Sequence, residues 1–85
     1  MAEDQELEHL EAELGDALRR LVLLNDRSTE IVAALQAAGS AGSFEKFPAL
    51  TTQLAVVEAR RTRATTIAET ASQRLSRLRH RVQEG

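Results

Sequence analysis

Apolar side chains recur along two long stretches of this chain in alternating steps of three and four. In the first stretch Leu7, Leu10, Leu14, Ala17, Leu21, Leu24, Ser28, Ile31, Leu35 and Ala38 follow one another without a slip. That is the spacing of the a and d positions of a coiled-coil helix, a period of about 3.5. Phe47, Leu50, Leu54, Val57, Arg61, Ala64, Ala68, Ala71, Leu75, Leu78 and Val82 repeat it in the second. Between the two lies the one cluster of helix breakers, Gly39 to Pro48. The pattern predicts an all-α fold, an antiparallel two-helix coiled-coil hairpin forming a single domain over residues 1–85, with no strand. Helix one is expected over about 4–38, the linker over about 39–46 and helix two over about 47–83. Pro48 belongs in the first turn of the second helix, where its missing N–H costs least. Ser43 is a candidate N-cap, unless the proline delays the start to about Phe47.

The two seams also predict how they pair. In an antiparallel coiled coil an a position of one helix shares a layer with a d position of the other. Leu7 with Leu78, Leu10 with Leu75, Leu14 with Ala71, Ala17 with Ala68, Leu21 with Ala64, Leu24 with Arg61, Ser28 with Val57, Ile31 with Leu54, Leu35 with Leu50 and Ala38 with Phe47 each add to 85. This register leaves 39–46 as the link, a workable length for a helical hairpin. Leucines of one helix face alanines of the other around Leu14 and Leu21, which lets the axes approach.

Charge bears on the orientation. Residues 1–18 carry Glu3, Asp4, Glu6, Glu8, Glu11, Glu13 and Asp16 and no Lys or Arg, whereas residues 59–82 carry Arg60, Arg61, Arg63, Arg74, Arg77, Arg79 and Arg81 against Glu69. Folding the hairpin sets the Arg74–Arg81 end beside the acidic end, with Glu6 opposite Arg81, Glu13 opposite Arg74 and Asp4 opposite Arg79. Exposed pairs are worth about 0.2–1 kcal/mol each, so they select the antiparallel orientation more than they stabilise it. The net charge of −2 and the absence of Trp and Tyr argue against nucleic acid as the partner of the arginine stripe. Residues 60–82 also lack the aromatic anchors of a membrane-surface helix, so contact with a membrane is expected only through partners.

Catalytic chemistry finds no footing. The chain has no Cys, and His9 and His80, its two histidines, fall at c and f positions away from the seam. No metal site, cofactor site, small-molecule substrate or catalytic residue is expected, and the chain is read as a non-enzyme. The acidic opening has neither the basic start nor the apolar core of a signal peptide, and cysteine is absent, so a cytoplasmic location is expected.

Two features exceed what a bare hairpin needs. Leu18, Val22 and Val32 form an apolar flank at e and b positions of helix one, with Leu23, Val56 and Ile67 on other faces outside the seam. A two-helix hairpin cannot bury these, which points to a larger helical bundle or hetero-oligomeric coiled coil. Mid-seam, Asn25, Arg27 and Ser28 face Arg60 and Arg61, a polar interruption that costs stability but can fix register or partner choice. Arg61 is expected to reach Asp26, Glu30 or a partner's acid. Leu18, Val22, Val32, Ile67, Arg60 and Arg61 are the candidate partner-binding residues.

The stretch Glu58 to Val82 resembles the C-terminal helix of snapin-like proteins, small helical subunits of the biogenesis of lysosome-related organelles complex and of its lysosome-positioning relative. The likeness is carried by Ala59-Arg60-Arg61, Ile67, Ala71, Arg74-Leu75, Arg77-Leu78, His80 and Val82, with Pro48 opening the helix. It implies a subunit of an elongated hetero-oligomeric helical assembly, acting without catalysis as an adaptor or scaffold in organelle trafficking and peripheral at organelle surfaces. The residues alone leave open a self-associating homomeric hairpin, natural or designed, that serves as a scaffold or as a nucleic-acid or cytoskeletal adaptor.

Overall fold

The computed structural model describes residues 2–84, with side chains as far as Gln83. Two helices, α1 (Ala2–Ala41) and α2 (Phe47–Glu84), pack against each other along their length. They are joined through Gly42, Ser43 and a single 3₁₀ turn, Phe44–Lys46. The hairpin is a rod 64 × 17 × 14 Å, the length expected of some 40 helical residues rising about 1.5 Å each.

The seam read from the spacing is the core. Leu10, Ala17, Ile31 and Ala38 of α1 and Val57, Ala64, Ala68, Ala71, Leu75 and Leu78 of α2 are buried. Leu7, Leu14, Leu21, Leu24, Ser28, Leu35, Phe47, Leu50, Leu54 and Arg61 are half-buried. The register matches as well. Leu10, Leu75 and Leu78 form one cluster with Leu7 and Leu14 packed on it. Farther along, Ser28 and Asn25 meet Glu58 and Arg61 across the seam. The exception is Val82, which is 48% exposed. In the same register its layer partner is Glu3, so the heptad pattern of α2 outruns the apolar face it needs.

α1 runs three residues beyond its expected end, and the reason lies in which glycine closes it. Gly42 takes the left-handed conformation, φ 73°, which L side chains adopt only at a cost. The Gly42 N–H donates to the Gly39 carbonyl at 3.2 Å and the Ser43 N–H to the Ala38 carbonyl at 2.8 Å. This paired closure satisfies two of the orphan carbonyls of the last turn. Gly39 therefore stays helical, and the Phe47 ring covers it, with the ring tip 3.5 Å from where a Cβ would stand.

Of the two starts expected for α2, the structure takes the one at Phe47. Ser43 makes no side-chain cap bond. Its carbonyl instead accepts the Lys46 N–H at 3.1 Å, opening the 3₁₀ turn. Phe44 and Phe47 bracket that turn edge to face, their ring centroids 5.5 Å apart. α2 begins at Phe47, so Pro48 sits where N–H groups have no intrahelical partner in any case. On its outer faces Thr52, Thr62, Thr65 and Thr66 each donate a hydroxyl hydrogen bond to the carbonyl four residues back. Those side chains are satisfied within their own helix and need nothing from outside.

Candidate interaction surfaces

The arginine stripe of α2 divides into two parts. At the open end of the rod Arg79 reaches Glu11 on α1 at 3.1 Å, with both side chains more than half exposed. The expected partner was Asp4; Arg79 turns inward along the rod to Glu11, a choice that a long flexible side chain makes at little cost. Glu13 faces His9 on its own helix at 3.8 Å rather than Arg74. Among the described residues, Glu6 and Arg81 likewise form no ion pair. The charge blocks lie side by side as expected, but the residue-by-residue pairing is loose, as exposed charges in water allow.

Mid-seam, Arg61 turns back into the hairpin. It lies 2.9 Å from Glu58 and donates to Asn25 Oδ1 at 3.3 Å. Ser28 donates its hydroxyl to the same Glu58 at 3.3 Å. Asp26 and Glu30, its expected partners, are not used, and Glu30 is taken by Arg27 at 3.1 Å. Four polar side chains thus satisfy one another across the two helices. Arg61 takes part in this patch across the helices, with its side chain still 41% exposed.

The remaining candidates separate onto opposite sides of the rod. Leu18, Val22 and Val32 are 49%, 60% and 40% exposed, and their e and b positions place them along one flank. Ile67 and Arg60 occupy g positions on the other side. There they line an open groove of about 390 Å³ between the helices, together with Arg20, Leu23, Leu24, Arg63 and Ala64. Ile67 is half-buried in this groove rather than standing free on the surface. A smaller groove shares Arg20, Ala64 and Ile67 and continues toward Glu13 and Asp16.

Arg20, Leu23 and Arg63 were not marked as partner-facing by the helix patterns, because each is an ordinary polar or flank position on its own helix. The register was the available signal: Arg20 with Arg60 and with Arg63 add to 80 and 83, within about 8 Å along the rod of a shared layer.

Among the described residues no group of three or more His, Cys, Asp or Glu side chains is placed to hold a metal ion. Nor, among the described residues, is any helix long and apolar enough to cross a membrane. Set beside family models, curated proteins and solved structures, the chain has no match.

Proposed function

We propose that the chain is a non-catalytic coiled-coil subunit of a larger helical assembly. In this reading the hairpin first pairs its own helices and then offers an apolar flank to helices of other proteins. One observation carries it: Leu18, Val22 and Val32 stand well exposed along a single flank although the seam beside them is closed. An aliphatic side chain gains about 1.5–3 kcal/mol when fully buried, so three spaced along one flank supply apolar anchors for a helix laid along them. The likeness of Glu58 to Val82 to the snapin-like helix is the sole ground for placing the assembly in organelle trafficking, as an adaptor or scaffold that meets organelle surfaces through its partners.

The test is the double change Leu18→Ser with Val22→Ser. The hairpin is expected to keep its helicity, because neither side chain lies in the seam. The same variant is expected to lose the proteins that co-purify with the wild-type chain from cell extracts, and its particle mass by light scattering should fall to that of the free chain. An unchanged mass together with an unchanged set of co-purifying proteins would mean that the flank is ordinary exposed surface.

A further inference from the structure

Across the rod from the Leu18 flank, the aliphatic side chains of Leu23, Leu24, Ala64 and Ile67 line a groove together with Arg20, Arg60 and Arg63. We propose that this groove docks an amphipathic helix of a partner protein whose apolar stripe is flanked by carboxylates. The inference rests on the assembly reading and deepens it, assigning a second face and the charge of the partner that fits it.

Local charge is the first argument. Arg19, Arg27, Arg61 and Arg79 each have a carboxylate beside them. Arg20, Arg60 and Arg63, like Arg74, Arg77 and Arg81, pair with no carboxylate among the described residues, and of these six only the first three line this groove. Three like charges therefore converge on one groove of a chain whose net charge is −2. Their mutual repulsion is relieved by carboxylates arriving from outside, which strengthens and orients the encounter.

Shape and polarity supply the rest. Four of the seven lining side chains are aliphatic, and Leu23, 68% exposed, contributes almost nothing to the hairpin itself. The groove runs between two helices and continues at one end into the smaller one, a trough that takes a third helix lying along the rod. A second copy of this chain fits poorly. Its acidic stretch, Glu3 to Asp16, commits Leu7, Leu10 and Leu14 to its own seam, and so offers charge without an apolar stripe. Nucleic acid fits poorly as well, because the groove is largely aliphatic and no aromatic side chain lines it to stack on bases.

The experiment uses the full chain and two fluorescein-labelled peptides of about three heptads, each with Leu at a and d, one with Glu and one with Lys at e and g. Binding is followed by anisotropy at low salt for wild type, for Arg60→Glu with Arg63→Glu, for the milder Arg60→Gln with Arg63→Gln, and for Leu23→Ser. Circular dichroism checks that each variant keeps its helicity. The Glu peptide is expected to bind wild type about tenfold or more tightly than it binds the Glu variant. The Gln variant should fall between, Leu23→Ser should weaken binding, and the Lys peptide should show the reverse preference.

Equal binding of the two peptides would overturn the proposal, as would indifference of the Glu peptide to the charge reversal. Two further results would also overturn it. One is capture of phosphatidylserine vesicles or duplex DNA in place of the peptide with the same dependence on Arg60 and Arg63. The other is a wild-type dimer that the charge reversal dissolves. The flank variant, Leu18→Ser with Val22→Ser, is expected to bind the Glu peptide as wild type does. Failure at the groove therefore leaves the flank reading standing, and failure at the flank leaves the groove reading testable on its own.

Discussion

Leu75→Ala is expected to lower the stability of the hairpin by about 2–5 kcal/mol, the cost of truncating a buried leucine where the surroundings cannot collapse into the space. Leu75 is 3% exposed and sits in one cluster with Leu10 and Leu78, with Leu7 and Leu14 packed on it. The layers next to it toward the linker are Leu14 with Ala71 and Ala17 with Ala68, whose small alanines already bring the helices close and leave no large neighbour free to move in. A chain of 85 residues has only a few kcal/mol in hand, so this one change should take a large share of it. Urea denaturation followed by circular dichroism reads the effect, with Leu23→Ala as the control. Leu23 is 68% exposed, and its truncation should move the midpoint little. A midpoint for Leu75→Ala no lower than that of the control would mean that the seam is not the core.

The second large effect runs the other way. Ser28→Leu with Arg61→Leu is expected to raise stability by about 1–3 kcal/mol, because aliphatic burial in two seam layers replaces a hydroxyl and a guanidinium. The expected cost is register. In the wild type, Ser28 and Arg61 find Glu58 and Asn25 at one alignment. A slip of one heptad would set Arg61 against Ile31 or Ala17 instead, without the bonds that tie Arg61 to Asn25 and Ser28 to Glu58 across the helices. With leucine at both positions the slipped alignments lose only contacts at the ends of the rod. The denaturation midpoint should therefore rise while the native alignment becomes less exclusive, visible as distances between spin labels on α1 and α2 that broaden relative to wild type. A midpoint that falls would mean that the polar patch stabilises the hairpin outright.

The seam was legible in the sequence as far as Leu78, though not at Val82, because a helix has one period and each slip would have exposed a leucine. From Leu7 to Leu78 every a and d position is at least half-buried. What the spacing did not reveal lay wherever a choice among near-equivalents is made in three dimensions. Gly39 and Gly42 are both capable of ending α1, and only the closure of the turn with Phe47 over Gly39 decides for Gly42. Arg79 has several carboxylates within reach, and water makes them nearly equal in energy, so heptad letters alone could not pick Glu11 over Asp4. Ile67 read as loose surface because its groove needs Leu23 and Arg20 from the other helix. The flank of Leu18, Val22 and Val32 was legible from sequence alone, since it lies on one helix. The opposed groove was not, since it exists only after folding.

Everything above depends on α1 and α2 pairing within one chain, antiparallel, in the register where layers add to 85. The most direct test replaces Leu10 and Leu75 with cysteine and oxidises the chain at high dilution, with Leu10→Cys and Leu54→Cys as the control. In the hairpin the first pair shares a layer inside one cluster, whereas Leu54 lies 21 residues from Leu75, roughly 30 Å along α2. The expected result is an intramolecular disulfide for the first pair, seen as a monomer of raised mobility on a non-reducing gel, and none for the control. Disulfides formed only between chains, or equal cross-linking by the two pairs, would contradict the hairpin and the two faces built on it.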